Sequence, residues 1–162
     1  MKTKYVLCRD INNQKHKVLC SRLKFRPAAY GVLIEKGKVL LSKQWDGYDF
    51  PGGGIKIDEL IDGALEREFW EETGLKVKRL SVLICESCFY RTYFSKKPIN
   101  SIVMYFLVKR VGGKLNLDNI DGTEKKYLGM PEWIPLKQIN KIKFYNSIDS
   151  VKLIREAVKA LK

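Results

Sequence analysis

Five charged residues in a short run, Glu66, Arg67, Glu68, Glu71 and Glu72, have the types and spacing to do chemistry. In a helix advancing roughly 100° per residue, Glu68, Glu71 and Glu72 fall within about 100° of one another on one face. Like charges at that spacing repel, and Glu71 and Glu72 sit in the last turn, where the helix dipole disfavours negative charge. Helix stability alone selects against the arrangement; a bound cation would offset it. An oxygen-only ligand set points to a hard ion, Mg²⁺ or Mn²⁺. Such an ion neutralises phosphate charge and makes a bound water a better nucleophile, which one glutamate can orient or deprotonate. The plain alternative is a solvated acidic face. Against it, Pro51-Gly52-Gly53-Gly54 stands just before the cluster, offering close backbone approach to a ligand and a carbonyl as a further metal ligand. The stretch Gly53–Leu75 is therefore the expected active site for metal-assisted cleavage of a phosphate–phosphate bond.

The elements that must position these groups are readable from pattern. A helix is predicted near Glu59–Thr73, with Asp58 as its cap, Gly74 as its stop, and Ala64, Leu65 and Phe69 on its apolar side. Tyr5–Cys8 and Lys17–Cys20 flank a polar turn and predict an N-terminal hairpin within residues 1–24. Ala29–Glu35 and Val39–Ser42 flank Lys36-Gly37-Lys38, a second hairpin, and Gly47–Gly54 reads as a loop. Val77–Tyr93, Ser101–Arg110 and Met130–Leu136 read as strands. A final helix is predicted, capped by Asn146 or Ser147, with Val151, Ile154, Val158 and Leu161 as its apolar stripe. Strands with one central and one terminal helix imply an α/β fold, a mixed sheet covered by helices, in one domain over residues 1–162.

Composition narrows the class. No apolar run is long enough to span a membrane and the N-terminus lacks a signal-peptide core, so a cytoplasmic address is expected. Of four cysteines only Cys85 and Cys88 have CxxC spacing, and in a strand those two point to opposite faces; free thiols are the better reading than zinc. The net charge of +13 suits an anionic partner, nucleotide or nucleic acid, and equally suits a lysine-rich solvated surface.

Gly53, Glu59 and then Arg67-Glu68-Phe69-Trp70-Glu71-Glu72-Thr73-Gly74-Leu75 match every defined position of the Nudix box, and the chain resembles the Nudix hydrolase family of MutT-like pyrophosphohydrolases. Phe50-Pro51-Gly52 before the box and Glu132-Trp133-Ile134-Pro135 late in the chain add to the likeness. The resemblance implies a Nudix-type α/β/α sandwich and Mg²⁺-dependent hydrolysis of a nucleoside diphosphate linked to another group, by water attack at phosphorus. It implies that Glu68, Glu71 and Glu72 bind metal and activate water, and leaves open which is the base. Arg67 would hold a glutamate of the set in place, Glu59 would support it, and Gly53 would offer its carbonyl. Many members recruit a further carboxylate after the box. Glu124 and Glu132 are the candidates, with Glu124 preferred because it lies in a loop. The resemblance also allows a homodimer.

The substrate is less legible. Arg26, Lys43, Trp45 and Tyr48 fall where substrate contacts are expected: the cations for phosphate oxygens, the aromatics for stacking a base or for packing the loop. A soluble nucleotide is the first reading. An RNA 5′ end is the second, favoured by the charge and by Phe89-Tyr90 and Tyr93-Phe94. A non-catalytic nucleotide-binding module is the third, and the intact glutamate set argues against it.

Overall fold

A computed structural model of the chain describes residues 4–120, 122 and 124–162, the side chain of Glu124 excepted. Ten strands and two α-helices make up its regular structure: β1 Tyr5–Arg9, β2 Lys15–Leu19, β3 Lys24–Phe25, β4 Ala28–Glu35, β5 Lys38–Gln44, β6 Gly47–Asp49, β7 Gly52–Gly54, α1 Ile61–Thr73, β8 Leu75–Arg91, β9 Pro98–Gly113, β10 Leu128–Pro135 and α2 Ser150–Ala160. The main path of the sheet runs β10-β5-β4-β9-β8-β1-β2, with β3, β6 and β7 paired to β9, β5 and β4. It is mixed: β4 runs parallel to β9, from Ala28 opposite Val103 to Leu33 opposite Val108, whereas β8 and β9 form a long antiparallel ladder.

The period-2 alternation of β4 and β5 gives the sheet two apolar faces. Ala29, Leu33 and Leu40 turn to one side, where Leu65 and Phe69 of α1 bury against them. Val32, Leu41 and Phe50 turn to the other, where Leu153, Ile154 and Ala157 of α2 close the core. Full burial of Phe69 or Leu65 contributes roughly 2–3 kcal/mol each, enough to fix α1 on the sheet. Gly74 ends α1 in the left-handed region at φ 73°, which favours glycine, and its N–H donates to the Trp70 carbonyl. The result is the expected α/β/α arrangement.

Four local expectations are corrected. The segment 47–54 holds two short strands rather than a plain loop, because Gly47–Asp49 extends the β5 hairpin and Gly52–Gly54 pairs with Ala28–Tyr30. The helix begins at Ile61, after Leu60, with no side-chain cap from Asp58; Glu59 is held outside it by the Lys56 N–H and the Arg67 guanidinium. Asp49 occupies Asn146, so Asp149 caps α2 instead, accepting from the Lys152 N–H at 2.9 Å. The buried stripe of α2 is Leu153, Ile154 and Ala157, and Leu161 is exposed beyond the helix end. All four cysteines are free thiols.

Candidate active site

Arg67 organises the acidic face of α1. Its Nε donates to Glu59 Oε1 at 2.5 Å and its Nη2 to Glu59 Oε2 at 2.8 Å, a two-pronged match of guanidinium to carboxylate. Its Nη1 reaches Glu68 Oε1 at 2.8 Å and Glu71 Oε2 at 3.0 Å, and Nη2 also reaches the Gly54 carbonyl at 3.2 Å. One cation thus restrains three of the four box glutamates. The hydrogen bond from Arg67 pulls Glu59 down to about 2. Burial pushes Glu68 up, with Arg67 acting in the opposite direction. Two carboxylates around one guanidinium are thereby held in unlike environments.

Glu72 is treated differently. It is buried, and its Oε2 accepts from the Ser42 hydroxyl at 2.7 Å and from the Gly52 N–H at 3.3 Å. Ser42 on β5 faces α1, as Leu40 does, so the strand period delivers a hydroxyl to this carboxylate. Gly53 lies against Glu68: a Cβ there would stand 2.5 Å from Glu68 Oε2. The sequence pattern joined Glu68, Glu71, Glu72, Arg67, Glu59 and Gly53, and the fold brings them together. Ser42 was not anticipated, since a serine in an apolar strand carries no signal of its own.

A cleft of about 910 Å³ opens on the α2 side of the sheet, lined by Arg26, Tyr30, Trp45, Asp49, Tyr90 and Asn146 among others. Arg26 joins the two regions. A Cβ on Gly54 would come within 2.6 Å of its guanidinium carbon, its charge interacts with Glu68, and its Nη1 donates to the Tyr90 hydroxyl at 3.3 Å. Trp45 stacks on Tyr127 with ring centroids 5.0 Å apart and planes 18° from parallel, and meets Tyr93 and Tyr145 edge-on. Its backbone sits at φ 44°, a left-handed conformation that costs about 1–2 kcal/mol for a bulky residue.

Lys43 and Tyr48 do not line this cleft. The Tyr48 hydroxyl donates to Glu132 Oε2 at 2.8 Å and Lys43 pairs with Glu132 Oε1 at 3.2 Å. Glu132 lies opposite Leu41 in the ladder and so shares the α2 side of the sheet, away from the glutamates of α1. The side chain of Glu124 lies outside the described residues.

Asp49, also unanticipated, is buried at the cleft floor, where its Oδ1 accepts from Asn146 Nδ2 at 2.9 Å and from the Phe50 N–H at 2.8 Å. Burial raises its carboxyl to about 6. The folded value exceeds the unfolded one, so the group's stabilisation is complete below about pH 4 and is lost as pH rises through 6, a change of roughly 3 kcal/mol. Asp49→Asn keeps both hydrogen bonds and removes the titration. Urea unfolding is expected to show the variant gaining about 3 kcal/mol over the wild type between pH 4 and pH 8; a pH-independent difference would contradict a buried, titrating Asp49.

A mixed sheet between two helices, with a glutamate-rich helix beside a glycine turn, defines a protein of α/β class with a carboxylate site at its surface. Residues 24–155 match the NUDIX domain, and the chain belongs to that family. It is 31% identical over 99 residues to 8-oxo-dGTP diphosphatase of Buchnera aphidicola subsp. Schizaphis graminum, covering 57% of this chain and 70% of that one. It is 28% identical over 135 residues to RNA pyrophosphohydrolase of Pasteurella multocida, covering 74% and 68%. Among solved structures, an ADP-ribose pyrophosphatase from Streptococcus suis shares the fold with a TM-score of 0.63 at 15% identity, over 85% of this chain and 92% of that one.

Proposed function

We propose that the chain is a Mg²⁺- or Mn²⁺-dependent pyrophosphohydrolase that splits a phosphoanhydride bond of a nucleoside diphosphate-linked compound by attack of water at phosphorus. The observation that carries this reading is the link, through Arg26, between the carboxylate face of α1 and an aromatic cleft roomy enough for a nucleotide. The oxygen-only donor set fits a hard cation. Among the described residues no three acidic, histidine or cysteine side chains converge as the structure stands, with Glu68 and Glu71 drawn to Arg67 and Glu72 to Ser42. Glu68, Glu71 and Glu72 would hold the ion, with Gly53 beside them. When bound, it supplies charge neutralisation for the phosphates and a more acidic water.

The chain's own groups do the rest. Arg26 holds phosphate oxygens between cleft and helix, and Trp45 offers its face to the base. Asp49 and Asn146 present polar atoms at the cleft floor, where a base edge can be read. Water's oxygen bonds to phosphorus, its proton passes to a carboxylate, and the departing phosphate keeps the electron pair of the broken P–O bond. The likeness to RNA pyrophosphohydrolase favours a second reading, in which the bound nucleotide is the 5′ end of an RNA.

The test is a panel of nucleoside triphosphates, dinucleoside polyphosphates, nucleotide sugars and 5′-triphosphorylated RNA, with Mg²⁺ or Mn²⁺. Metal-dependent release of phosphate or pyrophosphate from at least one is expected, abolished by EDTA. Silence across the panel with both ions would overturn the reading.

A further inference from the structure

A second concavity, of about 600 Å³, lies on the N-terminal hairpin β1–β2 and the end of β8, and most of it is built from residues preceding the 24–155 family match. Lys15, Lys17, Arg22, Arg91 and Lys96 line it together with Tyr5, and its lining includes no carboxylate residue. Among the described residues none of those five cations forms an ion pair. Five uncompensated cations in one groove repel one another, which stability alone does not favour. Tyr5 is 47% exposed within it, with Lys17 over its ring at 4.6 Å.

The groove adjoins the aromatic cleft at Arg91, which lines both. That residue is held in place: its Nη1 donates to His16 Nδ1 at 2.9 Å, and His16 Nε2 then donates to Asp10 Oδ2 at 2.7 Å. On the cleft side the neighbouring Tyr90 hydroxyl accepts from Arg26, which reaches the glutamate helix. Exposed Tyr93 and Phe94 lie along the same route. Cations spaced along a channel and interleaved with exposed aromatic faces suit a flexible polyanion with stackable bases, and suit an extended lipid surface less well.

We propose that this groove binds the phosphodiester backbone of a single-stranded nucleic acid whose 5′-terminal nucleotide occupies the cleft. The proposal rests on the reading of that cleft as a nucleotide site and adds a second site outside the family core.

The experiment is fluorescence anisotropy of a 5′-triphosphorylated eight-nucleotide RNA in EDTA, which prevents turnover, across a salt series. The wild type is compared with the combined Lys15→Gln, Lys17→Gln, Arg22→Gln variant and with Lys17→Gln alone; melting temperatures confirm folding. For single strands each lost phosphate contact lowers the salt slope by about 0.7, so the triple variant is expected to lose about 2 in slope and about a hundredfold in affinity at 0.1 M salt. Lys17→Gln alone is expected to lose about 0.7 in slope and keep the fold. Wild-type affinity and slope in the triple variant would overturn the proposal. So would RNA binding no tighter than that of a nucleoside triphosphate, or loss of phosphatidylserine-vesicle binding with RNA binding unchanged. Groove-dependent RNA binding in a chain that hydrolyses no nucleotide would sustain the groove and sink the hydrolase reading. Hydrolysis with an unchanged salt slope would do the reverse.

Discussion

Replacing Glu72 by glutamine is expected to lower turnover about a thousandfold in the presence of Mg²⁺, equivalent to roughly 4 kcal/mol of transition-state stabilisation. The size follows from where the carboxylate sits. Glu72 is buried, and its Oε2 already accepts from the Ser42 hydroxyl and the Gly52 N–H. A glutamine carbonyl can accept the same two hydrogen bonds, so the packing of α1 survives the change. What disappears is one negative charge that, on the proposed reading, would face the cation and the attacking water. Melting temperature should therefore stay within about 3 °C of the wild type while kcat falls. Activity within threefold of wild type would remove Glu72 from the metal and water machinery.

Arg67→Ala is expected to act on the fold as well as on turnover. Arg67 holds Glu59, Glu68 and Glu71 at 2.5 to 3.0 Å, with its own side chain 20% exposed and that of Glu68 12% exposed. Removing the cation leaves several half-buried carboxylates facing one another, and losing one partner of such a network costs about 3 kcal/mol. In a chain of this length that corresponds to roughly 6–12 °C in melting temperature. Millimolar Mg²⁺ should restore part of the loss, because an ion held by Glu68, Glu71 and Glu72 replaces some of the missing positive charge. A purely structural arginine would show the same destabilisation with no response to Mg²⁺. Arg67→Lys should recover little, since an ammonium group lacks the planar fork that meets Glu59 with two parallel bonds.

The box was legible because its signal is local. Glu68, Glu71, Glu72, Arg67 and Gly74 sit within one helix and its cap, where spacing alone determines the face. Strand existence was legible for the same reason: β4 and β5 carry short apolar runs on either side of the turn Lys36-Gly37-Lys38. Partners brought by the sheet were not. Ser42 meets Glu72 thirty residues away, and Asp49 meets Asn146 across ninety-seven, and neither serine nor aspartate announces such a partner in sequence. Lys43 and Tyr48 illustrate the converse. Their types suited phosphate and base, yet the register of β10 on β5 places Glu132 within reach of both, and that pairing engages them outside the lining of the cleft. The helix start was misplaced because Asp58 suits a cap by type, whereas the Lys56 N–H and the Arg67 guanidinium hold Glu59 outside a helix that begins at Ile61.

The parallel pairing of β4 with β9 has a consequence for the order in which activity arises. All of the box is synthesised before Pro98, yet α1 packs on a sheet whose centre is completed by β9. Contacts between residues near 30 and residues near 105 are of high sequence separation, a class that forms slowly because loop closure precedes any gain in burial. At translation rates of about 5–20 residues per second, the roughly forty residues from the end of the box to the end of β9 take about 2–8 seconds to appear. Throughout that interval the growing chain carries every glutamate of α1 over β4 and β5 alone, without Phe106 and Val108 of β9, so the complete platform beneath the helix is gained late.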